Sequence, residues 1–150
     1  MTSTADQWVL ELSRMLDGTR ERTFRALTDP VELAQWWGPA GFTTPEVRID
    51  LYVGGGYRFG MQPPEGSLFH LVGEFLEVEP PSRLAYSFRW EDPDPDDRET
   101  VVSIHLEDMG SRTQLSVRQG PFATEARLAL HTSGWTESLQ RLSAHIRSTP

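Results

Sequence analysis

The chain has 150 residues, 37% of them hydrophobic, with a formal net charge of −8 and no cysteine. That length is enough for one domain over residues 1–150 with its own core, and the lack of cysteine excludes disulfides, a thiolate metal site and a cysteine nucleophile. All 14 basic residues are arginine, which removes a Schiff-base or phosphate-loop lysine, and the acidic balance argues against nucleic acid as a partner.

No run approaches the roughly 18 apolar residues of a membrane-spanning helix. The opening MTSTADQW lacks the layout of a signal peptide, so the expectation is a cytoplasmic protein without membrane insertion. Residues 7–15 are expected to form a first strand. Thr19 can cap a short helix over 20–27 with Phe24 and Leu27 on one face. Asp29, Pro30 and Glu32 then read as a second helix start: a cap, a first-turn proline, and an acid three residues after the cap. This helix carries Leu33, Trp36 and Trp37, and Gly38-Pro39 stops it.

From residue 46 the period becomes two. Val47, Ile49, Leu51 and Val53 alternate with polar neighbours, which predicts a strand with one wet face. Gly54-Gly55-Gly56 is a turn, with no lysine to make it a phosphate cradle, and Tyr57, Phe59 and Met61 continue the alternation beyond it. A third run covers 68–78 and stops at Pro80-Pro81; Leu84, Tyr86, Phe88 and Trp90 share a face on a fourth. Residues 91–99 are dense in carboxylates without the turn glycine of a calcium loop, and read as a solvated, mobile hairpin tip. Strands over 100–107 and 113–119 follow.

The last stretch, 124–147, organises the rest. Leu128, His131, Trp135, Leu139, Leu142 and Ile146 succeed one another at steps of three or four, which is one stripe of a long helix. Such a helix must lie on something, and a curved antiparallel sheet with one apolar face needs just such a cover. The fold expected is α+β, with a cavity where the sheet bends away. Leu130 lies off the stripe. Gly134 costs about 1 kcal/mol mid-helix relative to alanine; it is either a tolerated glycine or a place where a neighbouring backbone passes closely.

Four segments, TDPVELAQWWGPAGFTT (28–44), IDLYVGGGYRFGM (49–61), GEFLEVEPPSRLAYSFRW (73–90) and HTSGW (131–135), together resemble the bacterial homologues of the heat-shock-chaperone ATPase activator. That family is a branch of the START-like, SRPBCC or helix-grip superfamily. The resemblance runs from about residue 8 to 147 and implies a seven-stranded antiparallel sheet gripping the last helix. It implies no one function, because relatives sequester hydrophobic ligands, serve as cyclase domains or stimulate a chaperone ATPase.

The four histidines are dispersed and none has metal-ligand spacing, so no metal, cofactor or catalytic set is assigned. The aromatic residues point to a binding cavity instead. Its expected wall is Trp36, Trp37 and Phe42 from the two-helix knuckle and the segment after it, Tyr57, Phe59, Met61, Tyr86, Phe88 and Trp90 from the strands, and His131, Trp135 and Leu139 from the last helix. His131, tyrosine hydroxyls, Arg58 and Arg89 are the candidates to orient a guest, and residues 39–41 to flex as an entrance with Phe42 as its plug. The leading reading is a monomeric or homodimeric module holding a lipid-, aromatic- or polyketide-like molecule. A cyclase or hydrolase using a cavity histidine is the second, and a co-chaperone the third.

Overall fold

The computed structural model describes residues 8–148. Ten elements follow in order: β1 (Leu10–Leu16), α1 (Arg20–Thr28), α2 (Pro30–Trp36), β2 (Thr43–Ile49), β3 (Gly56–Gln62), β4 (Phe69–Glu79), β5 (Arg83–Trp90), β6 (Thr100–Met109), β7 (Arg112–Gly120) and α3 (Glu125–Ser148). The strands form one antiparallel sheet in the order β1-β7-β6-β5-β4-β3-β2. Strands β2 to β7 are a meander, and β1 closes beside β7. This is the helix-grip architecture that the family resemblance implied, and it agrees with the antiparallel sheet and covering helix read from the residue pattern. The first strand sits slightly later than expected, and Gln7 lies outside the described residues. Among the described residues no helix is long and apolar enough to cross a membrane.

Asp29 joins the two short helices. Its N–H donates to the Arg25 carbonyl at 2.8 Å to close α1, while its carboxylate accepts from the Val31 and Glu32 amides at 2.9 and 3.2 Å to open α2. Glu32, three residues on, does not reach back to the Asp29 amide, which is taken by the Arg25 carbonyl. Its carboxylate instead takes Arg22 at 2.6 Å, Arg25 at 2.9 Å and His145 of α3 at 3.0 Å, tying both short helices to the long one. Burial raises this carboxyl, but hydrogen bonds from His145 and Arg22 and the Arg22 charge outweigh it and leave it below its ordinary value.

Two further expectations are corrected. Strand β2 stops at Ile49, and Leu51, Tyr52 and Val53 are 37%, 62% and 65% exposed rather than alternating in and out. The chain turns there because Asp50 N bonds to Gly56 O and Gly55 N to Tyr52 O. A Cβ on Gly55 would lie 2.1 Å from the Asp50 carbonyl oxygen, so only glycine allows this tight loop. The acidic segment 91–99 is not a free tip either: Arg127, in the first turn of α3, meets Asp94 at 3.0 Å, Asp96 at 2.9 Å and Asp97 at 3.2 Å. The Asp96 hydrogen bonds lead the effects that hold the guanidinium charged, and Asp97's own side chain is only 8% exposed.

The core lies between the sheet's inner face and α3. Every second residue of β5 and β6 points inward, with Leu84, Tyr86, Phe88, Val102, Ile104 and Leu106 buried. They meet Trp135, Leu139, Leu142 and Ile146 of α3, each contributing about 1.5–3 kcal/mol by leaving water. Thr124 caps α3 through the Arg127 amide at 3.1 Å.

Candidate ligand-binding site

Toward the N-terminal half of α3 the packing opens into a pocket of about 180 Å³. One wall is α3, through Leu130, His131, Gly134, Trp135 and Ser138. The sheet supplies Met61, Phe69, Phe88 and Trp90; the segment after α2 supplies Trp37, Gly38, Pro39 and Phe42. Leu130 is 58% exposed and forms the rim. Among these described residues none is an acid or an arginine.

The aromatic rings brace one another. Trp37 stands edge-on to Trp135 at 5.5 Å and to Phe59 at 5.1 Å. Phe69 meets Phe42 at 6.2 Å and Trp90 at 5.2 Å, both edge-to-face. Separations and tilts of this kind are the favoured ones for paired rings and make the wall stiff.

Of the twelve residues expected at the site, seven meet here: Trp37, Phe42, Met61, Phe88, Trp90, His131 and Trp135. The other five lie deeper. Trp36 is wholly buried and donates its indole N–H to the Ala26 carbonyl at 2.9 Å, fastening α2 to α1. Leu139 is wholly buried in the core. Tyr57, Phe59 and Tyr86 surround a remnant of about 10 Å³ in the centre, so the interior beneath the sheet is filled rather than hollow. The Tyr57 hydroxyl donates to the Ser87 carbonyl at 2.7 Å, and burial raises both tyrosine hydroxyls well above their ordinary value. Arg58 and Arg89 pair at the surface with Glu91 and Glu99.

Six wall residues lay outside the expected twelve: Gly38, Phe69, Leu130, Gly134, Ser138, and Pro39, which was expected only at the entrance. Phe69 shares strand parity with buried Leu71. Ser138 sits on the same helical stripe as His131, Trp135 and Leu142, and its polarity hid it. The glycine question is settled by space: the nearest atom to a Cβ on Gly134 would be Pro39 Cγ at 3.9 Å, and no neighbouring backbone lies within 4 Å.

His131 separates the pocket from a smaller space under the acidic loop, which Asp96, Asp97 and Arg127 help to line. Its ring stacks on Phe122 at 4.7 Å and 24°, and on Trp90 at 6.1 Å and 28°, with Phe88 edge-on at 5.4 Å. Burial, with the Arg127 charge one turn away, pulls the imidazole down to about 4, so it is neutral at pH 7. No hydrogen bond to either ring nitrogen is found among the described residues. The backbone-bonded histidine of an ordinary core is therefore not what stands here.

The segment 38–41 is fastened rather than loose. Glu137 of α3 accepts from the Ala40 amide at 2.8 Å. Arg141, one turn on, gives one Nη1 to the carbonyls of Trp37, Gly38 and Pro39 at 3.1, 2.9 and 3.2 Å. Gly38 and Gly41 hold φ of +105° and +87°, the left-handed region that lets the segment fold under these side chains.

A family model described as Activator of Hsp90 ATPase homolog 1-like protein matches residues 17–147. The chain belongs to this family. Its similarity to solved structures agrees. Protein CV1439 from Chromobacterium violaceum is 28% identical with a TM-score of 0.81, over 92% of this chain and 96% of that one. The AHSA1 protein SPO3351 from Silicibacter pomeroyi is 28% identical at 0.80, over 95% and 99%. CalU16 from Micromonospora echinospora is 25% identical at 0.71, over 92% and 75%. A comparison with curated proteins finds no match.

Among the described residues, His131 has neither an orienting carboxylate nor a hydrogen-bonded nucleophile, and no three potential ligands converge for a metal. The groups present can stack on a guest, exclude water and offer it hydrogen bonds.

Proposed function

We propose that this member of the family is a binding module for a small, flat, hydrophobic molecule held between α3, the strand ends and the segment after α2. The observation that carries the reading is the pocket of about 180 Å³ with an aromatic wall. Size narrows the guest. An apolar cavity of about 150 Å³ takes up benzene, whereas sites for larger ligands run from about 300 to 1,000 Å³. A guest of one or two rings fits; a long acyl chain or a multi-ring polyketide does not. In this reading residues 1–150 act as one receptor domain.

The test is a titration with tetralin, read by tryptophan emission and melting temperature. Trp37, Trp90 and Trp135 touch the guest, so emission should be quenched, and stability should rise by RT ln(1 + [L]/Kd). Gly134→Leu should abolish both effects by occupying the guest's space. Neither effect in the unsubstituted protein, across a panel of one- and two-ring compounds, would refute the proposal.

A further inference from the structure

We infer that the pocket selects an uncharged ring compound bearing a hydrogen-bond acceptor, such as a cyclic ketone, with His131 as the residue that orients it. The inference rests on the pocket being the ligand site, and goes on to the chemistry that the site accepts.

Most polar groups at the wall are already committed. The carbonyls of Trp37, Gly38 and Pro39 accept from Arg141, and the Trp135 indole N–H donates to Gln119 Oε1 at 2.7 Å. Left over are His131, the Ser138 hydroxyl and the indole N–H groups of Trp37 and Trp90, for which no protein hydrogen bond is found among the described residues. All four can donate, only His131 and Ser138 can also accept, and none is charged at neutral pH. The lining is almost wholly apolar, with a few uncharged donors, which suits a ring compound bearing one acceptor and leaves those donors unpaired against a pure hydrocarbon.

A carboxylate is poorly served. It would lose its hydration with no cation to meet it, since Arg127 faces Asp94, Asp96 and Asp97, and Arg141 spends its Nη1 on backbone carbonyls behind the wall.

Among the four groups His131 is the one with a fixed aim. Stacked between Phe122 and Trp90 and edged by Phe88, its ring cannot swing without breaking three aromatic contacts. The Ser138 hydroxyl rotates freely and can turn to a helix carbonyl one turn back. The two indoles only donate. Gly134, between His131 and Ser138 on the same wall, leaves the room in which a ring can lie beside the imidazole.

The experiment compares α-tetralone, tetralin and 2-naphthoate by calorimetry and tryptophan quenching, on the unsubstituted protein and on His131→Phe. The phenylalanine keeps the stacking and removes the nitrogens. The ratio of tetralone to tetralin affinity should fall about tenfold in the variant, the worth of one hydrogen bond at a desolvated site, with tetralin itself little changed. In the unsubstituted protein 2-naphthoate should bind at least about tenfold more weakly than tetralone. That second comparison stands even if the variant does not fold. An unchanged ratio, or naphthoate binding as tightly as the ketone, overturns the inference while the pocket remains a binding site. Failure of all three probes to bind overturns both the site and the inference.

Discussion

The indole of Trp135 donates to Oε1 of Gln119 at 2.7 Å, and the Gln119 amide donates onward to Thr100 Oγ1 at 2.9 Å. Gln119 is 0% exposed, so this relay joins α3 to the ends of β7 and β6 away from water and fixes the ring that forms the pocket's inner wall. Gln119→Leu leaves the indole and the threonine unpaired. It should cost about 1–3 kcal/mol in urea denaturation and weaken tetralin binding through the loosened ring. An effect below about 0.5 kcal/mol would sink this account.

Gly134→Ala should do the opposite. A Cβ there meets nothing closer than 3.9 Å, so the variant should gain about 1 kcal/mol from helix propensity alone. It should also bind two-ring guests more weakly. Thermal melts with and without ligand separate the two effects.

The neutral state of His131 has a pH signature. Its value falls from 6.5 in the unfolded chain to about 4 in the fold, so the unfolded state binds the extra proton between those values. Stability from this group is therefore complete above pH 6.5, declines as pH falls, and levels off below about 4, a loss of about 3 kcal/mol in all. The neighbouring charges are Arg127 on the same helix and Asp96 and Asp97 across the smaller space. The measurement is the difference in stability between the protein and His131→Phe from pH 7.5 to 4; a difference flat in pH would refute it.

Arg127→Met should free the segment 91–99. Asp97 would keep its burial and lose its cation, costing about 2 kcal/mol. Limited proteolysis within residues 92–98 should accelerate. Unaltered cleavage would show that the segment is held by other means.

Tyr57→Phe removes one hydrogen bond, to the Ser87 carbonyl, and should cost about 1 kcal/mol with no change in tetralin affinity. Altered affinity would place the guest deeper than the pocket described.

The residue pattern carried the architecture well because periodicity reports burial directly. The period of two from Tyr57 to Met61 and from Leu84 to Phe88, and the stripe through Trp135 and Ile146, each mark a face that is buried. Periodicity is blind to the end of a strand, so Leu51 and Val53 kept the alternation while the chain had already turned at Asp50. It is equally blind to depth. Tyr57, Phe59 and Tyr86 face the same way as Met61 and Phe88, yet the former fill the centre and the latter reach the pocket. The clamp of Arg127 on three aspartates joins residues 31 or so apart in sequence, and no local pattern announces it.

Both fasteners of the segment after α2, Glu137 and Arg141, project from the same helix as the pocket's back wall. Segment and wall are thus one mechanical body. On the binding reading proposed above, substitutions at Glu137 or Arg141 should loosen that side of the pocket and raise a guest's dissociation rate more than they change its association rate.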